Sequence, residues 1–215
     1  MKTVAIIDYD MGNVASVEKA FQKIGARTLI TYQKPEIEAA DAIVLPGVGA
    51  FGDGMKNLVL RGLVSVLNQT VLAGKKPFLG ICIGMQLLAT KGFEFGEHQG
   101  LGWIEGETEK LETGGKRLPH IGWDDVVWQD SEPLFTGVSD HNFYFDHSFA
   151  LKPTDPSVTI AHCDYGGQFA AAVRKDNIIA TQFHPEKSQQ SGLQFLSNFL
   201  ALCPVIQHPA MELVG

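Results

Sequence analysis

Residues 77–86 read Pro-Phe-Leu-Gly-Ile-Cys-Ile-Gly-Met-Gln, and this stretch decides the fold class. The apolar run over 77–81 indicates a buried strand, and the apolar spacing from Met85 to Ala89 indicates a helix that follows at once. Between them, a G-x-C-x-G turn places Cys82 between two glycines. A turn of this kind lifts its central side chain above the carboxyl edge of a parallel sheet, where open α/β folds bind ligands.

Strands and helices alternate along the half of the chain that contains this turn. Short apolar runs indicate strands, and apolar residues at helical spacing indicate helices between them. The predicted strands cover 4–7, 27–31, 42–45 and 77–81, and the predicted helices cover 13–24, 54–72 and 85–89. Continuous apolar strands that alternate with helices are typical of a parallel sheet covered on both faces.

The second half of the chain is richer in strands. Predicted strands cover 103–111, 126–128, 142–151, 158–163, 169–173 and 178–183, and a closing helix covers 191–202. We therefore predict an α/β fold: a mostly parallel central sheet covered by helices on both faces, with an antiparallel β extension. It forms one domain over 1–203, followed by a C-terminal tail over 204–215.

Composition limits the classes of function. The chain has 215 residues, 45% of them hydrophobic, and a net charge of −7, which argues against nucleic-acid binding and against a polybasic membrane surface. Three cysteines do not make a disulfide framework, and apolar runs fall short of the roughly 20 residues of a membrane span. The histidines and cysteines have no ligand spacing typical of a metal site. We expect a cytoplasmic protein without a metal or cofactor.

Cys82 is the candidate nucleophile. A free cysteine is most often a small core side chain, but the strand–glycine–cysteine–glycine–helix context favours a reactive thiolate at a helix N-terminus. The backbone N–H of Ile83 should point to the place where an oxyanion would form. Cys163 and Cys203 lack this context and are predicted to be ordinary core residues.

His184 and Glu186 are the candidate partners of Cys82. They lie two residues apart at the end of the predicted strand 178–183, so both side chains point the same way if the chain stays extended. Pro185 favours that extended conformation at His184. A nucleophilic cysteine needs a base and a group that orients it, which this His-Pro-Glu segment can supply.

A third segment, Leu-Pro-Gly-Val-Gly-Ala-Phe over 45–51, also follows a buried strand. Its glycines allow backbone conformations that other residues avoid, so a backbone N–H near Val48 can be aimed at a substrate carbonyl. From this segment alone, an ordinary glycine turn is an equally good interpretation.

Taken together, these motifs resemble the class I (triad) glutamine amidotransferases, which have a flavodoxin-like α/β fold. The resemblance covers nearly the whole chain and is carried by Pro-Gly-Val-Gly at 46–49, Gly-Ile-Cys-Ile-Gly-Met-Gln-Leu-Leu at 80–88 and Gln-Phe-His-Pro-Glu at 182–186. Four further stretches are similar to the subfamily that supplies ammonia to a cyclase of histidine biosynthesis; they are 8–13, 45–55, 119–123 and 183–199. The most discriminating is Pro-His-Ile-Gly-Trp at 119–123.

The resemblance implies glutamine as substrate and a cysteinyl thioester as intermediate. Cys82, His184 and Glu186 would form the triad, and the N–H groups of Ile83 and of the loop near Val48 would form the oxyanion hole.

It also implies which residues bind glutamine. Gln86 matches a glutamine-binding position, and Glu94 matches the carboxylate that holds the substrate's α-amino group. Ser148 and Phe149 match a segment whose backbone lines the pocket. Asp146 departs from the family pattern, because that position is commonly apolar.

A partner follows from the same resemblance, because free ammonia is lost to water. It implies a heterodimer with a (β/α)8-barrel cyclase that makes imidazole glycerol phosphate and aminoimidazole carboxamide ribotide. This chain is too short to contain that barrel of about 250 residues as well. Trp123, Tyr144 and Asn13 are the predicted contacts with the partner, with Trp123 as the aromatic anchor. A core tryptophan is an equally good interpretation of Trp123, and Tyr144 could either gate the pocket or simply pack.

Three other interpretations remain open at the level of sequence. The chain could supply ammonia to another synthase, for example one that amidates a sugar. It could be a different hydrolase on a similar fold, such as a cysteine peptidase or a γ-glutamyl hydrolase, although Gln86 and the 119–123 segment argue against that. It could also be a catalytically silent scaffold, against which the intact triad argues.

Overall fold

A computed structural model describes residues 1–204 of the chain. All but the first residue of the tail predicted at 204–215 therefore lies outside the described residues. Thirteen strands are present within the described part, at Thr3–Ile7 (β1), Arg27–Thr31 (β2), Ala42–Leu45 (β3), Phe78–Ile81 (β4), Lys91–Gly92 (β5), His98–Gln99 (β6), Gly106–Lys110 (β7), His120–Trp128 (β8), Asn142–His147 (β9), Phe149–Pro153 (β10), Thr159–Asp164 (β11), Gln168–Lys175 (β12) and Ile178–Thr181 (β13).

Nine of these strands form the central sheet, in the order β2-β1-β3-β4-β13-β12-β11-β8-β9. The first five pair in parallel, and the last four pair antiparallel to their neighbours. The other four strands form a smaller sheet in the order β10-β7-β5-β6. The predicted α/β architecture with a parallel core and an antiparallel extension is thus confirmed.

The helices lie at Val14–Lys23 (α1), Lys34–Ala39 (α2), Phe51–Leu60 (α3), Leu63–Leu67 (α4), Ile83–Gln86 (α5) and Gln189–Leu202 (α6). The single helix predicted over 54–72 is wrong. In the structure this region is three segments. Helix α3 begins at Phe51, the chain breaks at Gly62, which has a left-handed φ of 68°, and α4 then leads into a π-helical segment over Asn68–Ala73. The sequence analysis also missed α2, because its six residues are too few to show a clear helical period.

Three strand predictions need correction. The strand predicted over 142–151 is two strands, since the chain leaves β9 at Ser148 and continues in the smaller sheet as β10. The strand predicted over 103–111 begins only at Gly106. The short strand predicted over 126–128 is the end of β8, which starts at His120 and therefore includes the Pro-His-Ile-Gly-Trp segment.

Apolar side chains of the parallel strands alternate between the two faces of the sheet, as the two-residue period requires. Val4 and Ile6 contribute to one buried cluster together with α1 and α6, whereas Ile43 and Leu45 contribute to another with α3 and α4. Both faces are therefore covered, which explains why these strands read as continuous apolar runs. None of the helices in the described part is both long enough and apolar enough to cross a membrane.

The turn at residues 80–84 depends on two glycines that are packed against backbone. A Cβ at Gly84 would lie 1.9 Å from the carbonyl oxygen of Leu45, and a Cβ at Gly80 would lie 2.6 Å from that of Gly84. The first turn of α5 therefore sits directly on the ends of β3 and β4.

We predict that Gly84→Ala lowers the free energy of unfolding by at least about 2 kcal/mol, because backbone must move to admit the methyl group. Urea denaturation measures this change. The matched control is Gly54→Ala inside α3, where the new Cβ would meet the ends of two side chains, Cδ1 of Leu87 at 3.2 Å and Cγ2 of Ile83 at 3.6 Å. That variant should change the free energy by less than about 1 kcal/mol. Equal losses in both variants would contradict the argument.

Candidate active site

Cys82 stands at the turn between β4 and α5 with φ 54° and ψ −108°, a conformation that L-residues rarely adopt. It is the N-cap of α5 and is 3% exposed. The predicted strand–turn–helix arrangement is therefore present, but α5 is a single turn that starts at Ile83, not at Met85 as predicted. A helix this short adds little dipole field, so the electrostatics of the sulfur depend mainly on its side-chain neighbours.

His184 and Glu186 follow β13, which pairs in parallel with β4. Nδ1 of His184 lies 2.8 Å from Oε1 of Glu186, and both side chains are buried. The backbone N–H of His184 donates to the carbonyl of Tyr144 in β9 at 2.9 Å, so the segment is attached to the antiparallel half of the sheet. The structure thus brings together the two residues that the sequence predicted as base and orienting carboxylate.

The pKa of His184 is raised. Burial opposes its protonated form, but the charges of Cys82 and Glu186 outweigh the burial. Nε2 of His184 has no hydrogen-bond partner within residues 1–204, and neither does Oε2 of Glu186. Buried polar atoms are seldom left unpaired. The imidazole is therefore anchored at Nδ1 and keeps Nε2 for a reacting group beside Cys82.

A cavity of about 160 Å³ opens in front of the Cys82 sulfur. It is large enough for a small organic group but not for a macromolecule. Its lining includes every residue that the sequence analysis named for substrate or oxyanion binding. The ten lining residues are Val48, Gly49, Cys82, Ile83, Gln86, Glu94, Asp146, His147, Ser148 and Phe149.

Gln86 is almost fully buried in the wall of this cavity. Its Nε2 donates to the carbonyl of Phe149 at 2.8 Å and to Oε1 of Gln182 at 3.1 Å. The amide nitrogen is therefore committed to the protein, and Oε1 is the atom that Gln86 can offer to a ligand as an acceptor.

Glu94 lies between β5 and β6 and reaches the start of α3. Its Oε2 accepts the backbone N–H of Phe51 at 2.9 Å, which fixes the carboxylate at the N-terminus of that helix. Its second oxygen can accept a hydrogen bond from a cationic group in the cavity.

Tyr9 is a neighbour of this site that the sequence analysis did not single out. Its ring is fully buried, and its hydroxyl has no hydrogen-bond partner in the described part of the chain. A Cβ at Gly47 would lie 2.3 Å from that hydroxyl, so Tyr9 packs directly under the loop that carries Val48. Burial raises the pKa of the Tyr9 phenol, and the nearby Cys82 charge raises it further.

A histidine pair at the cavity wall, which His147 lines, was also missed. His120 and His147 face each other in the register of β8 and β9, with Nδ1 of His120 3.1 Å from Nε2 of His147. Nδ1 of His147 lies 2.9 Å from the carbonyl of Phe149 and must donate to it. Burial lowers the pKa of His147 to about 3, so His147 is neutral and accepts from His120. No signal in the sequence links two histidines 27 residues apart.

The three residues predicted to contact a partner occupy different environments. Trp123 is 44% exposed, which excludes a core role for it, and its ring meets that of Tyr144 edge-on at 5.9 Å. The ring of Tyr144 lies 6.3 Å from that of His184. The Asn13 side chain accepts the N–H of Ser16 and caps α1, so it already has a structural task.

No group of three or more potential metal ligands is present in the part of the chain that the structure describes. The donor set around Cys82 consists of one thiol, one imidazole with a free nitrogen and a buried carboxylate bound to that imidazole. This set suits covalent acyl transfer through a thioester.

The fold and this site define the class. Residues 5–203 match the family model described as glutamine amidotransferase class-I. The chain belongs to the class I glutamine amidotransferase family, whose members are glutaminases that use a Cys-His-Glu triad.

Sequence comparison with curated relatives assigns the chain to one group within this family. The chain is 48% identical over 206 residues to the imidazole glycerol phosphate synthase subunit HisH of Geobacter sulfurreducens, covering 93% of this chain and 98% of that one. It is 47% identical over 201 residues to HisH 1 of Campylobacter jejuni, covering 93% and 100%. With HisH of Caulobacter vibrioides it is 45% identical over 213 residues, covering 95% and 100%. Within the class, the chain is thus a member of the HisH group.

Solved structures agree on the fold. A structure of PurLQS from Thermotoga maritima superposes with a TM-score of 0.73 at 17% identity, covering 94% of this chain and 99% of that chain. A crystal structure of a glutamine amidotransferase gives a TM-score of 0.72 at 21% identity, covering 91% and 98%.

We predict that the pKa of His184 falls both in Cys82→Ser and in Glu186→Gln. The reason is that the charges of Cys82 and of Glu186 each raise it in the wild type. Titration of the imidazole by NMR measures the change, with the exposed His141 as the internal reference. An unchanged pKa of His184 in Cys82→Ser would show that the sulfur and the imidazole do not interact.

Proposed function

We propose that this chain is the glutaminase subunit of an imidazole glycerol phosphate synthase. Cys82, His184 and Glu186 form its triad, and residues 1–203 form its single catalytic domain. The observation that carries the proposal is the hydrogen bond between His184 and Glu186 beside a Cys82 that opens into the cavity.

In the first half-reaction, the Cys82 sulfur attacks the side-chain carboxamide carbon of glutamine. As the C–S bond forms, negative charge develops on the amide oxygen, where the N–H groups of Ile83 and of the loop near Val48 stabilise it. Such a donor contributes about 3 kcal/mol to transition-state stability in other enzymes. Nε2 of His184, which has taken the thiol proton of Cys82, then gives that proton to the departing nitrogen, the C–N bond breaks, and ammonia leaves a glutamyl thioester.

In the second half-reaction, His184 acts as the base. Its free Nε2 takes a proton from a water molecule, the oxygen of that water attacks the thioester carbon, and the C–S bond breaks to release glutamate. Glu186 holds Nδ1 of the imidazole through both halves, so that Nε2 stays directed at the reacting atoms.

The cavity walls supply the contacts for the amino-acid end of glutamine. Glu94 is an anion with one oxygen already fixed by Phe51, so it suits the α-ammonium group. Oε1 of Gln86 accepts a hydrogen bond from the same end of the substrate. Ser148 and Phe149 also line the cavity, and the Phe149 carbonyl accepts a hydrogen bond from Gln86.

The proposed partner is a HisF-type (β/α)8-barrel cyclase, with which the chain forms a heterodimer in the cytoplasm. Ammonia made at Cys82 would be protonated and lost in open water, so the acceptor site has to lie at the end of a protected path. The exposed Trp123 and the half-buried Tyr144 lie near His184 at the edge of the sheet and form the surface that we assign to this barrel. Asn13 is a second, peripheral contact.

The deciding experiment measures glutamate release from glutamine by the chain alone, with the cyclase barrel, and with the barrel plus its phosphorylated ribulosyl ligand. We expect little release by the chain alone and a large rise with barrel and ligand. Brisk release that is indifferent to the barrel would contradict the assignment to this synthase. It would favour another acceptor, such as a synthase that amidates a sugar.

Cys82→Ser is predicted to lower glutamine-dependent product formation by at least about a thousandfold, because the nucleophile is lost. Product formation from added ammonium salts should continue at the wild-type rate, since the barrel then needs no glutaminase. Loss of both activities would mean that Cys82 maintains the complex and does not act as the nucleophile.

Trp123→Ala is predicted to weaken binding to the barrel roughly thirtyfold, equivalent to about 2 kcal/mol for a central aromatic anchor. Its melting temperature should barely change, because the side chain is already half exposed. The matched control is Val127→Ala, an exposed apolar residue on the same strand but about 13 Å further along it. A lowered melting temperature with unchanged affinity would assign Trp123 to folding.

A further inference from the structure

Gln182 is a fully buried polar side chain, with 0% exposure, that the mechanism above does not use. Its backbone position follows from the pairing of β4 with β13, in which Thr181 is the register partner of Ile81. The ladder continues one step further, because the N–H of Cys82 donates to the carbonyl of Thr181 at 2.8 Å. Gln182 and Cys82 are therefore neighbours across two strand ends.

The orientation of the Gln182 amide can be worked out from its neighbours. The carbonyl oxygen of Phe149 can only accept a hydrogen bond, so the atom of Gln86 that lies 2.8 Å from it must be the NH2 group. The same NH2 group lies 3.1 Å from the Gln182 amide, which must therefore present its oxygen to Gln86. The remaining atom of Gln182, 3.7 Å from Sγ of Cys82, is its NH2 group.

The carbonyl oxygen of Asp146 lies 3.8 Å from the same sulfur. A carbonyl oxygen can accept from a thiol but offers nothing to a thiolate. The Gln182 N–H has the opposite preference, because it donates to a negatively charged sulfur more strongly than to a neutral one. The two contacts thus favour different protonation states of Cys82.

We propose that Gln182 is a functional residue of the glutaminase, whose amide N–H stabilises the Cys82 thiolate and is held in that orientation by Gln86. This inference rests on the proposed function, in which the thiolate is the nucleophile. Gln86 then has a second role as a positioning residue. It lines the substrate cavity, and its hydrogen bond to Gln182 holds the Gln182 amide against the sulfur that attacks the substrate.

Two substitutions at Gln182 separate these roles. Gln182→Glu keeps an oxygen for the Gln86 NH2 group but removes the N–H at the sulfur. Gln182→Met keeps the length of the side chain and removes both hydrogen bonds. The matched control is Thr181→Val, which deletes the neighbouring buried hydroxyl and its 2.9 Å hydrogen bond to the Phe183 carbonyl, without removing a contact to Cys82.

The first measurement is the rate at which iodoacetamide alkylates Cys82 at neutral pH, followed on the Cys82 peptide by mass spectrometry. Both Gln182 variants should react about tenfold more slowly, and the ultraviolet absorbance of the thiolate should fall, because a hydrogen bond to a charged group is lost. Thr181→Val should react like the wild type. Cys163 and Cys203 give little background, because burial raises the pKa of Cys163 to about 12 and that of Cys203 to about 11.

The second measurement is glutaminase kinetics in the complex with the barrel. Gln182→Glu should lower kcat about tenfold and leave KM unchanged, because Gln86 keeps its acceptor. Gln182→Met should lower kcat and also raise KM, because Gln86 is released. Gln86→Met should slow the alkylation of Cys82 as well, although Gln86 is not hydrogen-bonded to the sulfur.

Wild-type alkylation rates in folded Gln182→Glu and Gln182→Met would overturn the proposal, and so would an equal loss in Thr181→Val. Failure of the proposed function looks different. In that case glutamate release by the wild-type chain would not rise with the barrel, while Cys82 in the Gln182 variants would still be alkylated more slowly than in the wild type, which would support the contact with the sulfur.

Discussion

The structure depends first on the close contact between the turn that carries Cys82 and the backbone beneath it. Gly84 lies against the carbonyl of Leu45, and Gly80 lies against the carbonyl of Gly84 itself. This contact holds Cys82 in a backbone conformation that costs of the order of 1–3 kcal/mol. Without it, α5 would rise from the sheet, and the sulfur would lose its fixed place at the carboxyl edge.

The positions of His184 and the cavity follow from the place in the central sheet where parallel strand pairing ends. β13 is the last parallel strand and pairs with β4 on one side and antiparallel β12 on the other. The chain that leaves β13 carries His184, whose N–H is bound by Tyr144 of β9. The site therefore lies at the boundary between the two halves of the sheet. The parallel half supplies Cys82 and the loop that carries Val48, and β9 of the antiparallel half supplies Asp146 and His147 of the cavity lining.

The features that could be predicted from the sequence are those set by the spacing of residues within one short segment. The strands 27–31 and 42–45 and the motif residues Cys82, His184 and Glu186 are read from short segments whose pattern determines their conformation. Prediction failed where tertiary packing decides. The apolar pattern runs through Gly62 without interruption, yet the helix breaks there in a left-handed conformation.

Contacts between residues that become neighbours only through strand pairing could not be predicted from the sequence either. His120 meets His147 through the register of β8 with β9, and Gln182 meets Cys82 through the register of β4 with β13. Gln182 was visible as part of a motif, but nothing in a linear sequence shows which way its amide points. The hydrogen-bond chemistry of Phe149 and Gln86 fixes that orientation.

Most of the unpaired buried polar atoms in the described residues lie at this site. Nε2 of His184, Oε2 of Glu186 and the hydroxyl of Tyr9 are three of the four buried side-chain atoms without a hydrogen bond in residues 1–204. Each costs about 1–3 kcal/mol, so the chain gives up stability to keep these atoms available. The surface of Trp123 and Tyr144 adjoins the His184 imidazole, and a partner that covers this surface would also exclude water from the imidazole. Electrostatic interactions strengthen when water is excluded, so docking at that surface would strengthen the contacts that Cys82, His184 and Glu186 make with one another.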